Sequence, residues 1–355
     1  MLTRYGLPGA SSRLRAYQYL PYLRSQGLQI TVFPFFADSY QEDLYVGRSP
    51  RLGRVAAAYL LRLFHLLHAP AFDLIWVEYE LFPWLPALGE RLLAGLRMPY
   101  VVDYDDAIYH RYELHRKSVV RLFLGRKIDE VMKRAAVVVV GNDYLGDRAR
   151  AAGARRVEFL PTVVDIDRYA VTAGGGGAGL TVGWIGSPGT VGYLSLIKPA
   201  LTDLLNAGRA RLVIVGARDV PFAGTGVEAH PWSEATEVDD IAGFDVGIMP
   251  LPDEPWERGK CGYKLIQYMA CARPVIASPV GVNRQLVEQG VNGFLARTDH
   301  EWRSAFHELM SDPALRIRLG QAGRRKVEAQ YNTRVTAPRL AAILRSARSG
   351  NRGQS

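Results

Sequence analysis

Leu180-Thr-Val-Gly-Trp-Ile185 runs directly into Gly186-Ser-Pro-Gly189-Thr-Val-Gly192. An apolar, β-rich run meets a glycine-punctuated turn, and an apolar-periodic segment follows over Val191 to Ala207. Strand, tight turn and helix in that order form the repeating unit of a parallel sheet covered on both faces. The unit recurs downstream, with strands expected at Arg211 to Val215, Asp245 to Met249, Pro274 to Ala277 and Gly293 to Ala296. Helices are expected at Lys264 to Ala270 and Asn283 to Gln289, then a tail from Glu301 to Ala347 broken near Pro313 and Tyr331. Upstream, strands are expected at Leu2 to Tyr5, Leu28 to Phe35, Phe72 to Glu78, Tyr100 to Asp103 and Ala136 to Val140. Helical patterns over Ser11 to Gln26, Arg51 to Leu67, Leu85 to Leu96 and Val119 to Arg134 separate them.

Between the two series lies Thr172-Ala-Gly-Gly-Gly-Gly-Ala-Gly179, a flexible linker by composition. The expected organisation is α/β: two Rossmann-like doubly wound parallel-sheet domains facing a cleft. The first spans 1–171, the linker 172–179 and the second 180–330. A last helix over 331–355 is expected to return to the first domain and to end in disorder. A length of 355 residues suits two domains. Gly174, Gly176 and Gly179 match G-x-G-x-x-G in spelling, but a strand rather than a helix follows them, so the dinucleotide reading fails on context.

Composition narrows the partners. The net charge is +9, from 44 Lys and Arg against 35 Asp and Glu, which favours phosphate-bearing ligands or an anionic membrane face. No zinc-finger spacing or RNA-recognition signature accompanies the basic clusters, and nucleic acid is not expected. The seven His show no metal-ligand spacing, and no nucleophile elbow occurs. Two Cys, Cys261 and Cys271, cannot build a disulfide framework. No apolar run reaches the ~20 residues of a membrane span, and the start lacks the apolar core of a signal peptide. A cytoplasmic protein is expected.

Chemistry concentrates in a few loops. The turn Gly186 to Thr190 follows a strand and opens a helix, so its N–H groups and the Thr190 hydroxyl suit an anion. Gly6-Leu-Pro-Gly9-Ala-Ser-Ser-Arg13 holds the equivalent place in the first half. Tight turns want glycine regardless, but paired turns at matching places favour ligand contact. Lys260 and Lys264 flank a glycine at a helix start, where cations oppose the dipole unless an anion is present. Asp103-Tyr-Asp105-Asp106 closes a strand, which leaves open a metal site, sugar-hydroxyl recognition, a catalytic carboxylate or a capped turn. The segment Arg48 to His68 joins Arg48, Arg51, Arg54 and Arg62 to Leu60, Leu61, Leu63, Phe64, Leu66 and Leu67. It could lie on an anionic membrane or pack on the core with a basic outer face.

Gly259-Lys-Cys-Gly-Tyr-Lys264-Leu-Ile-Gln267-Tyr-Met-Ala270, with the strand after it, resembles the donor segment of GT-B-fold glycosyltransferases, most nearly the family-4 retaining enzymes. Ser12-Arg-Leu-Arg-Ala-Tyr-Gln-Tyr-Leu20, Pro161-Thr-Val-Val-Asp165, Asp245-Val-Gly-Ile-Met-Pro-Leu251 and Asn292-Gly-Phe-Leu295 add to the likeness in order and spacing. The resemblance implies a nucleotide-sugar held mainly by the second half and an acceptor, saccharide or lipid-linked, on the first. It implies that neither metal nor other cofactor is needed. On it, Lys260 and Lys264 neutralise the departing diphosphate, while Asp105 and Asp106 orient the transferred sugar or acceptor. Gly9, Gly186, Ser187, Thr190, Trp232, Glu234 and Gln267 hold the donor, and Arg13 and Asp103 the acceptor. Nucleobase contacts are expected from the loops near Gly216-Ala-Arg218 and His230 to Glu234. Two departures stand out: Gln267 occupies the place of a family glutamate, and Ser187 to Thr190 replace an arginine-to-lysine pair. A nucleotide-sugar epimerase on the same fold and a non-catalytic sugar-nucleotide-binding protein are the alternatives.

Overall fold

Val137–Val140, four consecutive valines, are all buried. A strand apolar on both faces belongs inside a parallel sheet with helices above and below. The structure is a computed structural model that describes residues 1–45, 51–169, 171, 179–217, 222 and 226–349. Linker residues 172–178, Arg48, Arg218 and the end of the chain from 350 lie outside the described residues, as do Gly174 and Gly176.

The chain divides into two compact units. The first comprises Met1–Thr162 together with the stretch from Thr336 onward, and the second Val163–Val335. The division thus falls after Thr162 rather than after 171. Val164 is bridged to Asn332, and Ile166 and Tyr169 are buried, so this stretch packs with the second unit.

Among the described residues each unit holds one six-stranded sheet, and every pairing is parallel. The first contains β1 (Leu2–Thr3), β2 (Phe33–Pro34), β3 (Ile75–Glu78), β4 (Tyr100–Tyr104), β5 (Val137–Val140) and β6 (Val157–Phe159), in the order β2-β1-β3-β4-β5-β6. The second contains β7 (Leu180–Ile185), β8 (Ala210–Val215), β9 (Val227–His230), β10 (Val246–Met249), β11 (Val275–Ala277) and β12 (Gly293–Leu295), in the order β12-β11-β10-β7-β8-β9. Winding reverses between β1 and β3 in one sheet and between β7 and β10 in the other. At such reversals the loops beyond the strand ends part, leaving a place for ligands.

Several elements are shorter than the periodicity suggests. Val191–Ile197 is a 3₁₀ helix, and the α-helix begins only at Lys198. Pro199 sits at its start, where a missing N–H costs nothing. The expected helix from Ser11 to Gln26 is broken at Ala16, which leaves helical geometry (φ −130°, ψ −65°). The expected helix from Val119 to Arg134 splits into Ser118–Leu124 and Lys127–Arg134. The tail follows the expected breaks as Asp299–Ser311, Pro313–Gln330 and Thr333–Ser349. Thr298 and Glu301 form a capping box at the first of these. In the last helix, Thr336 meets the Tyr19 hydroxyl (3.0 Å) and Arg339 donates to the Phe159 carbonyl (2.8 Å).

Asp103 is the first site residue the structure reassigns. Arg15 Nε and Nη2 donate to its two carboxylate oxygens at 2.7 and 2.9 Å, and both side chains are buried. Arg15 Nη1 donates onward to the Leu160 carbonyl at 2.7 Å. The carboxylate is a tie between the first helix, β4 and the end of β6, and its charge holds the guanidinium further above its usual range. It is not open to an acceptor.

Candidate functional site

In the second unit the site residues gather at the β7/β10 reversal. Trp184, next to last in β7, is almost fully buried, and Lys264 Nζ stands over its ring, 4.1 Å from the centroid. The same amine donates to Thr190 Oγ1 at 3.4 Å. Only glycine fits at 186, since a Cβ there would come within 2.5 Å of both Lys264 Nζ and the Trp184 ring. Gly262, in the left-handed region at φ +67°, begins the helix Tyr263–Ala270. It therefore sets the turn between Lys260, before the helix, and Lys264, in its first turn.

Burial pushes the Lys264 amine down to about 7, and the nearby charge of Lys260 adds to the effect. A cation at a helix N-terminus faces the positive end of the dipole as well. The aromatic face returns part of this cost.

The turn offers fewer donors than its sequence suggests. Gly186 N–H donates to the Val215 carbonyl and Thr190 N–H to the Ser187 carbonyl, each at 2.9 Å. Pro188 has no N–H, so the amides of Ser187 and Gly189 are the turn's contribution. The helix it opens is 3₁₀, not the α-helix expected.

Trp232 and Gln267 join through a polar chain. Trp232 Nε1 donates to Glu237 Oε2 (3.0 Å), Tyr169 OH donates to Glu237 Oε1 (3.3 Å), and Gln267 Nε2 donates to Tyr169 OH (3.2 Å). Glu237 and Gln267 are buried. Burial and the Tyr263 and Glu237 groups hold the Tyr169 phenol well above its usual value. Glu234 is engaged by Arg168 through its side chain and its carbonyl, both at 2.9 Å. A Cβ on Gly216 would meet the Gly186 carbonyl and Trp232 Cβ, so this loop abuts the turn. Gly186, Ser187, Thr190, Trp232, Glu234, Lys260, Lys264 and Gln267 thus share one neighbourhood of the second unit.

Sequence reading missed Trp184, Tyr169, Glu237 and the pair Tyr193–Glu257, in which the phenol donates to a buried carboxylate. Only Trp184 gave a local signal, as a large aromatic at a strand's end beside a glycine turn. Cys261 and Cys271 are buried and form no disulfide, and burial pushes the Cys271 thiol up to about 12. That thiol is inert.

The first unit has its own polar cluster at the β1/β3 reversal. Ser11 Oγ lies 2.8 Å from Tyr79 OH and donates to both Asp105 oxygens at 2.9 Å. Tyr79 OH also donates to Asp105. Tyr79 has φ +62°, a strained conformation for an aromatic residue. Asp106 follows, half-buried. Arg13 is buried on the helix Ala10–Arg15, and Gly9 begins that helix. Gly9 therefore belongs to the first unit's turn, while the other expected donor residues lie in the second. Asp103 and Asp105 are each held by other side chains. Among the described residues no group of three or more His, Cys, Asp or Glu could hold a metal ion.

Glu78 lies beneath this cluster. Its Oε2 accepts from Ser12 Oγ (2.6 Å) and Arg4 N–H (2.8 Å), while buried Oε1 has no partner among the described residues. Burial raises its carboxyl to about 7. A folded-state value above the unfolded one, near 4.5, favours folding fully below pH 4.5 and loses that contribution as pH rises through 7. Glu78→Gln supplies a donor at the orphan position. Its thermal midpoint is expected to match wild type near pH 5 and exceed it at pH 8; equal midpoints at pH 8 would refute the burial argument.

Comparison with known proteins finds a family match in each unit. A family model described as "Glycosyl transferases group 1" matches residues 179–312, and one described as "Glycosyl transferase 4-like domain" matches 4–162. Over 220 residues the chain is 26% identical to D-inositol 3-phosphate glycosyltransferase of Thermobifida fusca, covering 60% of this chain and 39% of that one. The match thus spans well under half of that relative's length. HepE of Anabaena, solved in complex with UDP-glucose, superposes with TM-score 0.69 at 18% identity over 97% of this chain and 98% of that one. WaaG, a glycosyltransferase involved in lipopolysaccharide biosynthesis, does so with TM-score 0.67 at 14% identity over the same shares. Two family models, one in each unit, and a fold like that of these structures lead to one conclusion: the chain belongs to the GT-B-fold glycosyltransferases.

Proposed function

We propose that this chain is a retaining glycosyltransferase that moves a sugar from a nucleotide-sugar to a saccharide or lipid-linked acceptor. Surface polysaccharide or glycolipid synthesis at the cytoplasmic membrane face is the setting this reading assigns. The observation that carries it is Lys264: a desolvated amine over Trp184, beside Lys260 and a glycine turn, with its basicity lowered to about 7. Such a group regains its charge when a diphosphate arrives. As the bond from anomeric carbon to diphosphate breaks, the acceptor oxygen bonds that carbon and its proton passes to the departing diphosphate, whose remaining charge Lys260 and Lys264 stabilise. Stabilising a developing anion is usually the largest catalytic contribution. Trp232 and the Glu237–Tyr169–Gln267 chain serve the nucleoside, and Asp105 with Asp106 the acceptor or transferred sugar. In this reading no resident metal or cofactor takes part.

UDP-glucose, the ligand of HepE, is the first donor to try. The test is a panel of nucleotide-sugars with saccharide and lipid-linked acceptors, following nucleoside diphosphate release and the anomeric configuration of the product. Acceptor-dependent release with configuration kept is expected. Folded protein that neither binds nor consumes any donor would sink the reading. Binding without consumption would make it a sugar-nucleotide-binding protein, and isomerisation without an acceptor an epimerase.

A further inference from the structure

Four arginines from three stretches of the first unit, Arg97, Arg134, Arg155 and Arg156, line one groove of about 330 Å³. The groove lies at the amino ends of the strands, where Pro99 precedes β4, Val137 begins β5 and Arg156 precedes β6. The cluster of Ser11, Tyr79 and Asp105 lies at the carboxyl ends of the same parallel sheet. β4, at ~3.3 Å per residue, puts about 15 Å between the two.

None of the described residues that line the groove is acidic. Arg134 is paired with Glu130, which Arg91 shares at 3.6 Å, and Arg156 with Glu158 at 2.8 Å. Arg156 also donates to Ser346 Oγ (2.8 Å), which ties this wall to the last helix. Arg155 is exposed and makes no hydrogen bond or ion pair among the described residues. Helix dipoles account for part of the gathered charge. Arg134 is the last residue of Lys127–Arg134, where a cation is favoured. Arg155 and Arg156 lead into a strand, which offers no such field.

Arg97 carries the stronger signal. Met98 N–H donates to the Leu93 carbonyl (2.9 Å) and Arg97 N–H to the Ala94 carbonyl (3.1 Å). This pair of bonds closes a helix through one left-handed residue, usually glycine. Gly27 and Gly153 close two other helices of this chain in the same way, at φ +80° and +81°. Here the left-handed residue is an arginine, at φ +52°. It bears a strain that glycine would not. Strain of this kind, which the turn itself does not need, collects at functional positions.

We propose that this groove is a second anion site, which takes a small organic phosphate about the size of a sugar phosphate. Arg97, Arg155 and Arg156 meet the phosphoryl oxygens, since a guanidinium presents paired N–H donors to them. Met98, Pro99, Val137 and Ala347 supply apolar lining for the carbon body, which a bare phosphate ion would leave uncovered. A groove of this volume holds a ligand of that size. The site stands apart from the donor reading, because every residue in it belongs to the first unit.

The test is isothermal titration of the full chain with glucose 6-phosphate, with inorganic phosphate and glucose as comparisons. Glucose 6-phosphate is expected to bind at least about tenfold more tightly than inorganic phosphate and to weaken with salt, and glucose is expected not to bind. Arg155→Gln should cost about tenfold in affinity, the loss of one charge-assisted bond, with Tm unchanged. Arg97→Gly should cost a similar factor yet raise Tm by about 2 °C, since the strain leaves with the side chain. In Lys264→Ala the affinity should be that of wild type, which separates the groove from the donor residues. No binding, equal affinity for inorganic phosphate, or an Arg97→Gly variant with wild-type affinity overturns the proposal. So does binding that is lost with Lys264 and kept without Arg155, or capture of phosphatidic acid vesicles through these arginines while glucose 6-phosphate goes unbound.

Discussion

Lys264→Ala lowers turnover at least about a hundredfold, the loss typical when one preorganised stabiliser of a departing anion is removed. The amine is held over Trp184 and against Thr190, so no rearrangement is needed when charge develops. Donor affinity should carry a pH signature. The free amine, at about 7, is charged below that pH and neutral above it. A diphosphate binds the charged form, so wild-type affinity should weaken as pH rises from 6 to 8.5, with proton uptake on binding. The alanine variant should lose that slope. Isothermal titration in two buffers of different ionisation enthalpy reads the uptake directly. Retained turnover together with an unchanged slope would remove Lys264 from the site.

Arg15→Met destabilises the first unit by about 3–5 kcal/mol, because it leaves the Asp103 carboxylate buried without its partner. For a unit of this size that corresponds to a fall of roughly 10 °C in Tm. The pair Arg15→Met with Asp103→Leu should recover most of the loss, since apolar side chains of similar volume replace a buried ion pair at little cost. A single variant as stable as wild type would show that the two-point contact is not a structural tie. A double variant no better than the single one would place the loss in the contacts of Arg15 with Leu160 instead.

What was legible in the chain was local. β7, its glycine turn and the lysines around Gly262 are each set within a dozen residues by strand propensity, turn chemistry and helix start. Their meeting with Trp232, Tyr169 and Glu237 is not local: Gln267 and Tyr169 are 98 positions apart, and only the winding of the sheet brings them together. Asp103 and Asp105 look alike in the sequence, yet one faces Arg15 and the other Ser11 and Tyr79. That difference comes from helix packing, which no spacing rule supplies. β9, Val-Glu-Ala-His, was missed because an edge strand tolerates the polar residues that argue against a buried one. In Leu52–Leu67 the basic and apolar residues were visible, but which of them faced inward was not: Arg62 and Leu66 are buried, so Arg62 is not part of a basic outer face.

The helix Thr333–Ser349 crosses from one unit into the other, and the stretch from Thr336 onward belongs with residues 1–162. On the ribosome, every residue of the second compact body is polymerised before the opening one receives its last segment. Folding by emergence, N-terminal part first, is therefore interrupted here: of the two bodies, the one begun earlier is finished later, and truncation at 335 would strip it of a helical buttress.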